Sequence, residues 1–347
     1  MTEALAAGVL VVGMAAYAVL GGADFGSGFW DLTAGGDQRG ARVRGLVKRS
    51  MSPVWEANHV WLIFILVIFW TAFPEAFGAV MSTLYVPLFA VAIGIIFRGA
   101  AFAVRGQAAT IAEARFLGAM FASSSVLIPF FLGATVGAIA SGQVPAPPGG
   151  GDPLDSWTNL TSLYIGALAV GTGAYVAAVF LAADAVRADQ PDLIDAFRTR
   201  ALGAAAVVGA LAIGGIFVVK GDAPELYDGL TSGFGLGAVI VSIIAGSITV
   251  ALLLQRRFGT ARLTSAVTVG AVIGGLALAQ QPDFLPGVLT LDQAAASDAT
   301  LIPLLGCVVL AAAVLIPSLS LLYRLTLRGT LDTEFNPIVA ADSEEER

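Results

Sequence analysis

Nine long apolar runs separated by short polar stretches set the pattern of this chain. They are Leu5–Phe29, Val54–Phe73, Phe77–Phe97, Phe116–Ala140, Ser162–Val186, Ala201–Val219, Ser232–Leu254, Leu263–Ala279 and Leu301–Tyr323. Continuous runs of about twenty residues predict helices that cross a bilayer. A transmembrane barrel would instead alternate apolar and polar positions over segments of about ten residues, so the expected fold is an all-α polytopic membrane protein. The first run follows Met-Thr-Glu with no positive stretch before it, and reads as a retained span rather than a cleaved leader. Pro87 and Pro129 fall inside the third and fourth runs and are expected to kink them.

Charge orients the spans. Arg39, Arg42, Arg44, Lys48 and Arg49 share the first connection; Arg98, Arg105 and Arg115 the third; Arg187, Arg198 and Arg200 the fifth; Arg256, Arg257 and Arg262 the seventh. With Arg324, Arg328 and Arg347 in the tail, seventeen of eighteen basic residues fall on one side, and Lys220 alone lies on the other. The excess of Lys and Arg in cytoplasmic loops makes that side the inner one. The N-terminus is then outside and the C-terminus inside, which requires an odd number of spans.

The stretch Ser141–Pro153 (SGQVPAPPGGGDP) leaves four spans before it and five after. Val12-Gly13 with Ala16-Tyr17 in the first span is echoed by Val170-Gly171 with Ala174-Tyr175 in the fifth, and an acid follows each, Asp24 and Asp184. A duplicated four-helix unit accounts for the echo, and chance similarity between Ala- and Gly-rich helices is the alternative. The expected organisation is a first four-helix bundle over residues 1–140, a connection over 141–161 and a second bundle over 162–281. An outer loop with a peripheral ninth helix follows over 282–328, then an acidic, solvated tail over 329–347.

Composition narrows the chemistry. The chain is 57% hydrophobic and 12% charged with a net charge of −7, and it has no basic domain to suit nucleic acid. Its single cysteine, Cys307, rules out an intramolecular disulfide or a cysteine metal cluster. Its single histidine, His59, cannot by itself supply bis-histidine haem ligation or a multi-histidine metal site.

Against that background, the segment Ser50–Trp61 (SMSPVWEANHVW) concentrates polar groups where the second span begins. Asp24 lies roughly 28 Å along the first span at ~1.5 Å per residue, near the inner face. Glu56 sits in the first turn of span two, and Arg98 at the inner end of span three. Each alone suits a helix terminus, the acid at an N-terminus and the arginine at a C-terminus. Together with Asn58 and His59 they suggest a hydrated entrance for protons or ions, because charge at membrane depth usually faces protein or water. Gly21, Gly22, Gly26 and Gly28 around Asp24 favour close helix packing, so a tight contact that hydrogen-bonds Asp24 is compatible with either reading. His59 is better suited to relaying protons or bonding the backbone than to holding a metal. Trp30 and Trp70 fit an interfacial belt, while Trp55 and Trp61, six residues apart, cannot share one helix stripe. Ser123, Ser124 and Ser125 can bond within or across helices.

The order GGADFGSG, SPVWEANHVWL, FPEAF and FRGAAFAVR resembles subunit II of the cytochrome bd family of quinol oxidases. Asp24, Gly26 and Gly28 match its first motif; Trp55, Glu56, Asn58, Val60 and Trp61 its second; Arg98, Phe102 and Arg105 its third. The resemblance implies nine spans, as two four-helix bundles plus a peripheral helix. The partner would be subunit I, which carries haem b and haem d (or b-type variants) and the quinol site, while this chain binds no haem. It implies quinol oxidation coupled to reduction of dioxygen to water, with protons taken from the cytoplasm of a bacterial or archaeal cell. By position, Asp24, Glu56, Asn58, His59 and Arg98 would belong to the proton-conducting or subunit-interface region, and Trp55 and Trp61 to oxygen access or packing. A structural quinone or lipid and a small single-span subunit stay open. The chain departs from the family at Gly21, where an acid is common, at Glu56 for Asp, at His59 for Gln and at Gly99 for Pro. The rival reading is a secondary transporter built from an internal repeat. It would place polar groups near the midplane, where this chain has small, apolar and hydroxyl residues.

Overall fold

The computed structural model describes residues 1–35, 37–51, 55–104, 110–148 and 150–327, without the side chains of 37–39, 51, 55–57, 111, 114, 323, 326 and 327. In chain order the helices are α1 (Thr2–Leu32), α2 (Asp37–Met51), α3 (Trp55–Ala72), α4 (Pro74–Thr83), α5 (Tyr85–Val104), α6 (Ile111–Ala140) and α7 (Asp155–Thr158). They continue with α8 (Leu160–Arg187), α9 (Pro191–Asp222), α10 (Pro224–Thr231), α11 (Gly233–Leu254), α12 (Phe258–Ala279), α13 (Leu291–Ala294) and α14 (Asp298–Leu327). Eight of the described helices are long and apolar enough to cross a bilayer, or nine if the bent pair α3–α4 counts as one span. The chain is a multi-pass membrane protein. Among the described residues, strands are confined to a small antiparallel hairpin, β1 (Asp283–Leu285) and β2 (Leu289–Thr290), in the connection before α13.

The third apolar run is not one helix. Residues 77–83 belong to α4, and the span itself is α5, which begins only at Tyr85. Pro74 ends α3 because it cannot donate to the preceding turn, and α4 leaves at a bend of 118° with that proline in its first turn. Pro87 therefore lies in the first turn of α5, where a proline has no helical hydrogen bond to break, and it starts the span instead of kinking it. Pro129 does lie inside a helix, α6, which continues through it.

The same break recurs between α9 and α10. Phe73 (φ −135°, ψ 60°) precedes Pro74-Glu75, and Ala223 (φ −142°, ψ 69°) precedes Pro224-Glu225. Each of these residues donates its N–H back to the helix it ends, Phe73 to Phe69 O at 3.0 Å and Ala223 to Val219 O at 2.8 Å. Spans α1, α3, α5 and α6 are thus followed by α8, α9, α11 and α12 in the same order, with a short Pro-Glu helix after the second span of each set. Residues Met1–Leu301 nonetheless form one compact unit.

Inside that unit, α1 packs on α3, α6 and α8, and α8 packs on α6, α9 and α12. The residues of α8 from Ala174 to Leu181 carry mostly small or β-branched side chains and are buried on nearly every face. Gly26 of α1 lies so close to α8 that a Cβ there would fall 1.9 Å from Gly173 O. Beside that crossing, Trp30 Nε1 donates to Ala174 O at 2.8 Å.

The basic connection after α1 folds as the amphipathic helix α2. Its Val43, Leu46 and Val47, spaced i, i+3, i+4, are buried in the cluster that α8 builds, while Arg42 stays exposed and pairs with Asp192 of α9 at 2.8 Å. We expect Leu46→Ala to cost about 2–5 kcal/mol and to raise tryptic cleavage at Arg44 and Lys48. An unchanged cleavage rate would mean that α2 is not held by this face.

Helix α9 runs about ten residues beyond the expected span at its first end. There Arg198 donates to Leu253 O at 2.9 Å, capping α11, and Asp195 pairs with Arg256 at 2.7 Å. The hairpin and α13 close the opposite side of the unit. Phe284 stacks on Phe73 at 4.4 Å between centroids, and Ala296 N–H donates to Ala72 O at 2.8 Å, satisfying a carbonyl at the end of α3. The second unit, Ile302–Arg347, is described as far as residue 327; it is a helix whose Val309, Leu310 and Val314 stand exposed.

Candidate functional site

Asp24 and Arg98 meet. Asp24 lies on the last third of α1 and Arg98 on the last turns of α5, and their side chains are 1% and 3% exposed. Arg98 Nη2 donates to Asp24 Oδ1 at 2.6 Å and to the Asp24 carbonyl at 3.0 Å, while Nη1 donates to Ser125 Oγ on α6. Ser125 in turn donates to Phe121 O, and the guanidinium lies 4.2 Å from the Phe121 ring centroid and 5.1 Å from that of Phe25. Ser27 Oγ donates to the Asp24 carbonyl at 2.6 Å. A charge this deep is tolerable only when paired and hydrogen-bonded, and α1, α5 and α6 supply both conditions. Gly28 makes the approach possible, since a Cβ there would sit 2.1 Å from Ser125 Oγ.

The acid is only half satisfied. Asp24 Oδ2 is buried without a hydrogen-bond partner among the described residues, as are Tyr17 Oη and Asn58 Oδ1. Asn58 reaches α1 from the start of α3, its Nδ2 donating to Leu20 O at 3.1 Å. His59 is the next residue on α3 and is half-buried. Trp61 is half-buried, edge-on to Phe64 at 6.0 Å, and packs against the cluster of Tyr17, Phe25, Val91 and Ile128. Trp55 and Glu56 stand in the first turn of α3, and their side chains lie outside the described residues, as does Arg105.

The structure therefore brings Asp24, Asn58 and Arg98 into one place on α1, α3 and α5. Ser125 bonds both within α6 and across to α5, as the sequence allows, and two aromatic residues that sequence reasoning passes over join it. Ser125, Phe121 and Phe25 cradle the guanidinium, and Phe121 and Ser125 stand one turn apart on one face of α6. Tyr17 stands two turns before Asp24. A second knot forms in the later half, where Asp184 of α8 accepts from Arg262 of α12 at 2.6 Å and from Arg187 at 2.9 Å. Arg262 also donates to Phe180 O at 2.8 Å and lies 4.5 Å from the Phe180 ring centroid. The Asp184 carboxylate is 17% exposed, against 1% for Asp24, so of the two knots the first is the one sealed from solvent.

The sequence model described as cytochrome bd terminal oxidase subunit II matches residues 2–326. The chain belongs to that family. The cytochrome bd ubiquinol oxidase subunit 2 of Bacillus subtilis (strain 168) is 30% identical to it over 125 residues, 36% of this chain and 35% of that protein. The alignment thus spans about a third of that curated relative. The fold agrees over far more: a chain of the solved bd oxidase from Geobacillus thermodenitrificans superposes with a TM-score of 0.73 at 25% identity, covering 94% of this chain and 99% of the other. Membership of the bd oxidase subunit II family gives the transporter reading no support.

Proposed function

We propose that this chain is the second, haem-free subunit of a complex that oxidises quinol and reduces dioxygen to water in a bacterial or archaeal cell membrane. The observation that carries the reading is the family relationship over residues 2–326. The solved oxidase chain, similar along nearly its whole length, supports it. Haem b and haem d belong in this reading to a partner subunit I, where they supply the electron transfer and oxygen chemistry. The donors of this chain, with His59 its only histidine and Cys307 its only cysteine, do not fit a bis-histidine haem.

What this chain contributes is structure and a proton-accepting site. The charge bias puts the inner ends of α1 and α5, with Asp24 and Arg98, on the cytoplasmic side. Arg98 fixes one oxygen of Asp24 and leaves the other able to exchange a proton. Asn58, His59 and Glu56, at the start of α3, form the approach to it from that side or the contact with subunit I. Trp55 and Trp61 serve oxygen access or packing. The repeated span order with its two Pro-Glu breaks supports descent of the two halves from one duplicated four-helix unit.

The test is to purify the chain through a tag from its native membrane and record oxidised and dithionite-reduced spectra. Haem bands, a second large membrane subunit and quinol-driven oxygen uptake are expected to come with it. A chain that arrives alone and colourless in mild detergent would overturn the reading.

A further inference from the structure

Three buried polar atoms lie along two turns of α1 and on the start of α3 that faces it. Tyr17, Asp24 and Asn58 are 8%, 1% and 2% exposed, and Tyr17 Oη, Asp24 Oδ2 and Asn58 Oδ1 have no hydrogen-bond partner among the described residues. The Tyr17 side chain runs along α1 towards Asp24: its Cε2 is 3.0 Å from where a Cβ on Gly21 would stand, and its ring meets Phe25 edge-on at 6.2 Å. Asn58 is anchored on the same turn through Leu20 O, the carbonyl that faces the Asp24 amide across one helical turn. Gly21 lies beneath the tyrosine ring and leaves it room.

A buried polar atom left without a hydrogen bond is costly, and three so close along one helix would be a heavy load. Their chemistry is complementary through a single mediator. A carboxylate oxygen and an amide oxygen only accept, and a phenol can donate. A water there would donate one hydrogen to Asp24 Oδ2 and the other to Asn58 Oδ1, and would accept from Tyr17. That makes three bonds, the usual number for a buried water.

We propose that Tyr17, Asp24 and Asn58 hold one internal water between α1 and α3, and that Tyr17 is the positioning residue that turns it towards the free oxygen of Asp24. The water joins the two helices by bonds that neither makes directly. It is also the immediate hydrogen-bond partner through which a proton reaches or leaves Asp24, since Arg98 closes the other oxygen; this second role rests on the functional reading above.

The test uses the intact complex purified through this chain, with a map fine enough to resolve waters. Density within hydrogen-bond distance of all three atoms is expected in the wild type. Its absence, or a protein side chain bonded to Tyr17 Oη, would overturn the proposal whether or not a variant assembles. In Tyr17→Phe the ring keeps its packing on Gly21 and Phe25. The density is expected to weaken or vanish, and turnover with a soluble quinol to fall about fivefold, the size of one lost hydrogen bond, with KM for quinol unchanged. Unchanged density in Tyr17→Phe would overturn the positioning role, and loss of the density at unchanged turnover would overturn the water's part in proton transfer. A complex with the water but no quinol oxidase activity would instead overturn the functional reading.

Discussion

Arg98→Met is expected to destabilise the assembled protein by about 3–5 kcal/mol, the cost of leaving a buried charge without its partner. Asp24 is 1% exposed, and the described side chain bonded to its carboxylate is Arg98. Methionine fills much of the space between Phe25 and Phe121 but brings no charge, so the carboxylate must stay ionised unpaired or take up a proton. Asp24→Asn should cost less. The guanidinium would keep the backbone carbonyl at position 24, Ser125 and both aromatic faces, contacts that do not depend on the acid. The double change Asp24→Asn with Arg98→Met removes both charges together and should recover much of the single arginine loss, a coupling of about 0.5–3 kcal/mol in a double-mutant cycle. Thermal aggregation midpoints of the purified complexes measure all four corners. If the double variant is as unstable as the sum of the singles, the two side chains do not interact as a pair.

The parts of this fold legible in sequence are those written in long-range pattern. Uninterrupted apolar runs identify spans because the bilayer tolerates little else, and α1, α6, α8, α11 and α12 lie where the runs lie. The run over residues 77–97 misleads because α4, short as it is, is apolar too; hydropathy is blind to the helix break at Leu84. The signal is in Phe73-Pro74-Glu75, repeated at Ala223-Pro224-Glu225, which marks a helix start in each half. Helix α2 is legible as well: Val43, Leu46 and Val47 keep helical spacing among the basic residues that draw attention to charge alone. At the site, the intramembrane cost of charge singles out Asp24 and Arg98, and their meeting follows from three consecutive spans ending on alternate faces. Ser125 and Tyr17 cannot be found that way. Neutral hydroxyls carry no comparable penalty in sequence, and their importance comes from rotation of α6 about its axis and from the direction of one tyrosine side chain.

Gly26→Ala is expected to be among the most damaging single methyls in the chain. The new Cβ would stand 1.9 Å from Gly173 O, 2.3 Å from Gly173 C and 2.8 Å from Ala174 N, all backbone, so no rotamer change can relieve it. The helices must part, and overpacking of this kind costs about 1–3 kcal/mol or more. Parting them also breaks the Trp30–Ala174 hydrogen bond at 2.8 Å and moves the turn that carries Asp24 relative to Arg98. Two glycines of the same helix serve as controls. At Gly8 a Cβ meets nothing within 4 Å, and at Gly22 its nearest contact is 3.7 Å from Gly173 Cα. Gly8→Ala and Gly22→Ala should therefore be neutral or stabilising, since alanine is favoured over glycine inside a helix by about 1 kcal/mol. The thermal midpoint of Gly26→Ala should fall well below both. Since α1 carries Asp24 and Tyr17, loss of this crossing should disturb the site together with the fold, and oxygen uptake should fall in parallel with stability. Equal midpoints for the three variants would mean that α1 and α8 do not cross at Gly26, and the placement of Asp24 would have to be drawn again.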